Sequence, residues 1–199
     1  GWHPWLPTRS SSRSVGWTAP DMAAAEGTIA GKTCVVTGAT SGIGEAAARA
    51  LAQLGAHVVV AGRDARRCQS VVDDIRNATG NSAVEPVVAD LSSLAEVRRL
   101  AAELKDRCPR IDVLANNAGA YFARRHESSE GLEMTWALNV LSPFLLTNLL
   151  LDRLEASAPA RVINTSSEAH ERARLNVEDL QGRRRYGGFR AYGRSKLAL

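Results

Sequence analysis

The chain has 199 residues, 45% of them hydrophobic, and a formal net charge of +4 at pH 7. That length fits one domain and that apolar content fills a packed core. Its arginines gather near the N-terminus and in Arg183–Arg194 without the aromatic-and-basic interleaving of a nucleic-acid binder, so no nucleic-acid partner is expected. The most apolar stretch, ALNVLSPFLLTNLLL, is interrupted by Asn, Ser, Pro and Thr and is shorter than the ~20 residues a span needs, so no transmembrane segment is expected. Cys34, Cys68 and Cys108 are odd in number and lack CxxC or metal-ligand spacing. They read as reduced thiols in a reducing compartment, which points to a cytoplasmic protein without a metal.

Residues 1–21 show no periodicity and carry no acid before Asp21. Their composition resembles a transit peptide without its amphipathic pattern, and MAAAEGTIAGKTCVV, from Met22, reads as a natural start. Residues 1–28 are therefore expected to form a disordered extension, and residues 29–199 one domain.

From Gly31 the pattern becomes regular. KTCVVTG is a β-branched run ending in glycine and reads as a buried strand. In GIGEAAARALAQLG, Ile43, Ala46, Ala47, Ala50, Leu51 and Leu54 recur at helical spacing, and Gly55 is a fitting stop. HVVVAG is a second strand. Asp64 can cap the next helix, whose stripe is Cys68, Val71, Val72 and Ile75 before Gly80. VEPVVAD is a third strand, and Ser93 with Glu96 forms a capping box for a helix that ends before Pro109. IDVLANN is a fourth strand. EGLEMTWALNVLSPFLLTNLLLDRLEAS predicts one long helix kinked at Pro143. RVINTSS is a fifth strand, followed by a polar loop and a helix carrying Tyr192 and Lys196. Strands alternating with long helices imply βαβ units, right-handed crossovers and a Rossmann-type, doubly wound parallel α/β sheet.

TGATSGIG, Thr37 to Gly44, lies between the first strand and the first helix. Gly38 permits a tight turn, Gly42 lets backbone approach a phosphate, and Gly44 allows close helix–strand packing. The helix start offers free N–H groups and partial positive charge to an anion. An acid near the end of the second strand would signal NAD; here Gly62 and Arg63 stand in its place, beside Asp64. An arginine can pair with a 2′-phosphate, so NADP is favoured over NAD.

TGATSGIG, NNAG (Asn116 to Gly119) and YGRSK, in that order, resemble the TGxxxGxG, NNAG and YxxxK motifs of the classical short-chain dehydrogenase/reductase family, over roughly residues 30–199. RVINTSSEAH, GLEMTWALN and PFLLTNLLL resemble its retinol dehydrogenase-like and WW-domain oxidoreductase-like branch. The resemblance implies an oxidoreductase that moves hydride between NADP and a small lipophilic alcohol, aldehyde or ketone. Tyr192 would be the acid/base, and Lys196 would favour its phenolate and hold the nicotinamide ribose. Ser167, with Ser166 as competitor, would bond the substrate carbonyl, and Asn139 would anchor a water in the proton relay. Thr40, Ser41 and Ile43 would join the three loop glycines around the cofactor. Asp90 would meet adenine, Leu91 would also contact the cofactor, and Asn116, Ala118 and Gly119 would line the groove.

The family pattern continues past YxxxK with a sixth strand, a substrate loop and a seventh strand, so this chain is expected to be a C-terminally truncated fragment. The fifth strand would then be an uncovered edge, and homodimerisation would need the absent part. The competing expectation is a non-catalytic dinucleotide-binding or interaction module.

Overall fold

The computed structural model describes residues 29–199; the extension expected over residues 1–28 lies outside them. Five parallel strands form one sheet in the order β3-β2-β1-β4-β5. They are β1 (Thr33–Thr37), β2 (His57–Gly62), β3 (Val84–Val88), β4 (Val113–Asn116) and β5 (Arg161–Asn164). The helices are α1 (Gly42–Gln53), α2 (Ala65–Thr79), α3 (Leu94–Arg107), α4 (Met134–Trp136), α5 (Ser142–Leu149), α6 (Leu151–Ala156) and α7 (Gly188–Ala198). This is the expected Rossmann-type architecture. Strand order runs outward from β1 to β3, then reverses to β4, which opens a crevice beyond the carboxyl ends of β1 and β4.

Alternation along the strands divides the core in two. Val35, Val59 and Leu114 pack with Leu100, Leu104, Leu146 and Leu150 on one face. Cys34, Val36, Val58 and Val60 pack with Ala48, Ala52, Val72 and Ile75 on the other. β1 is buried along its whole length because both faces are covered and both edges are paired. β5 is the expected edge: Val162 and Ile163 are 42% and 51% exposed. Beside it lies an open groove of about 380 Å³, lined by Val140, Leu141, Phe144, Val162, Ala198 and Leu199 among others.

Two local expectations change. The long helix does not run from Glu130 with a simple proline kink. It begins at Met134, where the buried Glu133 carboxylate accepts the Thr135 and Trp136 N–H groups, and it widens into a π turn over Ala137–Leu141. It tightens again at Ser142, breaks at Leu150 and ends at Ala156. Pro143 sits in the first turn of α5, where its missing N–H costs little, and the irregularity falls one turn earlier. The capping box is only half formed. Ser93 Oγ accepts the Glu96 N–H, but Glu96 turns to Arg99 instead of reaching back. Glu130, from the loop before α4, completes the cap by accepting from Ser93 Oγ and the Ala95 N–H.

Opposite the crevice, Asp112 ties the start of β4 to the start of β1. Its carboxylate accepts the Thr33 N–H at 3.0 Å, Arg110 at 3.0 Å and Lys32 at 3.3 Å. Burial alone would push this carboxyl up; the Thr33 N–H and the two cations outweigh it and hold it below the usual carboxylate range. A depressed folded value means its stabilisation is complete above the unfolded value of about 4 and fades as pH falls below that. Asp112→Ala is expected to cost about 2–3 kcal/mol in urea denaturation at pH 7, and the gap from wild type should shrink as pH drops through the acid range.

Candidate active site

The glycine loop leaves β1 and enters α1 at the mouth of the crevice. Gly38 has φ +64 and Gly42 φ +57, left-handed values that side chains rarely adopt. A Cβ on Gly38 would lie 2.7 Å from Ala118 Cα, so the loop presses on the strand-end loop of β4. A Cβ on Gly44 would strike Asn117 and the Gly38 carbonyl. Gly42 differs: space around it is open. Ser41, the cap residue, makes no side-chain cap bond, so the first N–H groups of α1 stay available. Ile43, 73% exposed, stands at the rim. Open space, free amide donors and a helix start fit the phosphates of a dinucleotide.

A hydrogen-bonded clasp sets the loop's position. Thr37 Oγ1 donates to the Ala115 carbonyl and accepts the Asn117 and Ala118 N–H groups at 3.0 and 3.1 Å. Asn117 Nδ2 donates to the Thr37 and Gly38 carbonyls, and its Oδ1 accepts from Thr165 Oγ1. Asn116, expected to line the groove, turns inward: its Nδ2 bonds Thr147 and Asn164, joining β4, β5 and α5. Leu91 likewise buries its side chain in the core. Asp90 is exposed, and one carboxylate oxygen is held by Ser92.

At the end of β2, the Arg63 side chain is exposed and has no partner among the described residues. Asp64 caps α2 by accepting the Arg67 N–H at 2.9 Å, which ties the acid to the helix. Arg67, absent from the sequence expectation, donates Nε to the Thr40 carbonyl of the glycine loop at 3.1 Å. Arg67 is thus tied to the glycine loop, while Arg63 stays free among the described residues at the end of β2. The signal for Arg67 was its place in the first turn of the helix that Asp64 caps.

The second half of the site comes from β5 and α7. Tyr192 lies on α7 with its ring packed edge-on to Tyr121, centroids 6.2 Å apart. No protein group among the described residues bonds its hydroxyl. Lys196, one turn on, is buried, with Nζ 5.9 Å from the centre of the Tyr192 ring. Its ammonium donates to the Thr165 carbonyl at 2.5 Å and meets no carboxylate among the described residues. Burial pushes its pKa down. Gly119 brings the NNAG backbone close, since a Cβ there would lie 3.4 Å from Lys196 Nζ.

Ser166 Oγ donates to the Lys196 carbonyl at 3.0 Å, which commits it to holding α7. Ser167 Oγ only accepts the Ala169 N–H at 3.3 Å, so its own proton is free for another acceptor. Asn139, in the π turn, is fully engaged. Its Oδ1 accepts the Ala120 N–H, and its Nδ2 donates to the Ala120 carbonyl and Ser195 Oγ. Ser195 Oγ passes the chain on to the Tyr192 carbonyl at 2.7 Å. The clamp runs from the β4 loop through Asn139 and Ser195 to Tyr192. Ser195 was not expected from the sequence; being buried and next to Lys196 was its only mark.

The two positive-φ glycines of this loop separate packing from ligand space. Gly42→Ala is expected to cost about 1–2 kcal/mol for the left-handed backbone alone, while abolishing capture of inorganic pyrophosphate. Gly38→Ala adds a backbone clash and should cost clearly more. Paired urea curves and pyrophosphate titrations read both effects.

The family model described as short chain dehydrogenase matches residues 32–199. Human retinol dehydrogenase 13 is 44% identical over 173 residues, covering 86% of this chain and 52% of its own length. Human polyprenol dehydrogenase is 41% identical over 172 residues, 84% of this chain and 52% of its own. A solved structure described as the Pseudomonas aeruginosa RhlG/NADP active-site complex is 38% identical, with TM-score 0.69, over 85% of this chain and 63% of that one. The chain spans about half the length of these two curated relatives.

Proposed function

The chain belongs to the short-chain dehydrogenase family, and from that premise we propose that it forms the NADP-binding and proton-transfer half of an oxidoreductase acting on a lipophilic alcohol, aldehyde or ketone. The observation that carries the reading is the pairing of an open, uncapped α1 start with a buried, carboxylate-free Lys196 one turn from Tyr192. The RhlG/NADP complex and retinol dehydrogenase 13 among its relatives support the cofactor and the substrate class.

The first-turn N–H groups of α1 and the backbone of Gly42 would hold the pyrophosphate. Arg63 and Arg67 would pair with the 2′-phosphate, a charge that Asp64, occupied as the α2 cap, does not oppose directly. The nicotinamide, when bound, supplies or accepts the hydride. Ser167 would donate its free hydroxyl proton to the substrate oxygen. Tyr192 would trade a proton with that oxygen, and Lys196, a buried cation, stabilises a phenolate beside it. Lys196 has two N–H donors beyond the one given to Thr165, enough to reach ribose hydroxyls. Asn139 serves through its carbonyl, because its side chain is spent on the clamp and Pro143, four residues on, has no N–H to give that carbonyl. A water bound there would link Lys196 to solvent.

Tyr192→Phe is expected to abolish NADPH-dependent reduction of lipophilic aldehydes while leaving NADPH binding intact. Surviving turnover would remove Tyr192 from the role; cofactor binding without any wild-type turnover would mean a dinucleotide-binding module. Arg63→Ala with Arg67→Ala should weaken NADPH binding about 100-fold, the loss of two charge-assisted bonds at about 1.5 kcal/mol each, and leave NADH binding unchanged.

A further inference from the structure

Tyr186 stands two residues before α7, and the proposed chemistry does not use it. Its hydroxyl lies 2.9 Å from the Phe122 carbonyl and 3.2 Å from Thr135 Oγ1. Thr135 gives its own proton to the buried Glu133 carboxylate at 2.8 Å, and a carbonyl has none to give, so the Tyr186 proton serves both contacts. Burial, with Glu133 adding to it, pushes the phenol's pKa up, which keeps that proton in place at neutral pH. Gly182, with φ +59, brings backbone under the ring: a Cβ there would lie 3.2 Å from Tyr186 Cδ2. The residue is held as a fixed donor, not as a proton carrier.

The Phe122 carbonyl belongs to the track on which α7 lies. Gly188, Tyr192 and Lys196 are spaced four apart and share one face of that helix. Each meets the loop after β4. A Cβ on Gly188 would lie 2.5 Å from the Phe122 carbonyl oxygen and 3.0 Å from the Tyr121 hydroxyl; Tyr192 packs edge-on to Tyr121; and Lys196 Nζ lies beside Gly119. The bonds of Asn139 to Ala120 and Ser195 clamp the far end of this contact. The near end has no such clamp, since Gly188 carries no side chain and Gly187 makes no side-chain cap bond. Tyr186 supplies the grip there, because it bonds the same Phe122 carbonyl against which Gly188 is seated.

We propose that Tyr186 is a positioning residue for the proton-transfer step: its hydroxyl fixes where α7 sits along the loop after β4, and so where the Tyr192 hydroxyl meets the substrate. The proposal rests on the reading of Tyr192 as the acid/base. It gives the segment between β5 and α7 a part in the reaction without placing any of its groups on a reacting atom. A shift of about 1 Å at a reacting group can cost roughly 100-fold in rate, so a bond that sets the helix's position acts on turnover more than on binding.

The test begins with fluorine NMR of the 199-residue chain labelled with 3-fluorotyrosine, in which Tyr121, Tyr186 and Tyr192 are the three tyrosines. Tyr186→Phe keeps the ring and removes the hydroxyl; urea curves check that it is folded. It is expected to shift the Tyr121 and Tyr192 resonances, whose rings sense each other edge-on. It is also expected to lower kcat for NADPH-dependent aldehyde reduction by roughly 10- to 100-fold, with the aldehyde KM and NADPH affinity unchanged. Gln181→Ala cuts a different tie of the same segment, the bond its Oε1 accepts from the Glu133 N–H at 2.7 Å. It should lower the urea midpoint and leave the Tyr192 resonance and kcat in place. Unmoved Tyr121 and Tyr192 resonances in Tyr186→Phe overturn the proposal. So does a raised KM at unchanged kcat, or an equal effect from Gln181→Ala, which would make Tyr186 one structural tie among several. Absence of wild-type turnover would instead contradict the dehydrogenase reading, and the resonances would then decide by themselves whether Tyr186 sets the place of Tyr192.

Discussion

The site depends on the hydrogen bonds that close the gap where β1 and β4 part. Thr37 and Asn117 stand on either side of that gap, and Asn117 donates to Thr37 twice, from its backbone N–H to Oγ1 and from Nδ2 to the carbonyl. The chain leaves β1 and β4 toward opposite faces of the sheet, which would otherwise leave strand-end carbonyls and N–H groups unpaired in a half-buried crevice, an arrangement that costs free energy at each group. The clasp satisfies them and fixes the glycine loop against the NNAG backbone at a distance only glycine tolerates at Gly38 and Gly44. Loosening it would move the α1 start and the Lys196 pocket apart, although neither residue touches a reacting atom.

A second clamp carries the same alignment to α7. Asn139 spends its whole amide on Ala120 and Ser195, and Ser195 hands the connection to Tyr192. The π turn that contains Asn139 is part of this device, because widening the helix turns an inward polar side chain out of the regular register. Lys196 completes it at an energetic cost: a buried ammonium with one carbonyl partner is under-solvated. A hydroxyl-bearing ligand that accepted from its remaining donors would relieve that cost.

Much of this was legible in the residues. β-branched runs alternating with apolar stripes at helical spacing fixed the five strands and the flanking helices, since sheet strands buried on both faces leave an unmistakable pattern. The glycine loop and the Tyr192–Lys196 spacing gave the two halves of the site. What stayed hidden were the destinations of polar side chains. Asn116 and Asn117 are neighbours in sequence, yet one turns inward to β5 and α5 and the other bridges to β1; a strand's end reverses sides residue by residue, and no periodicity says which amide finds a partner. Arg67 and Ser195 gain meaning only from Thr40 and Asn139, 27 and 56 positions away. The helix break escaped for a related reason: Pro143 drew attention to itself, while the distortion came from the turn before it.

The most direct test of the central claim is a fluorescence titration of the 199-residue chain with NADPH and with NADH. The structure, with Arg63 and Arg67 beside an open α1 start, predicts saturable NADPH binding and NADH binding at least 10-fold weaker, the discrimination of about one charge-assisted contact or more. Equal affinity for the two would contradict the reading of the arginines, and binding of neither would contradict the cofactor site itself.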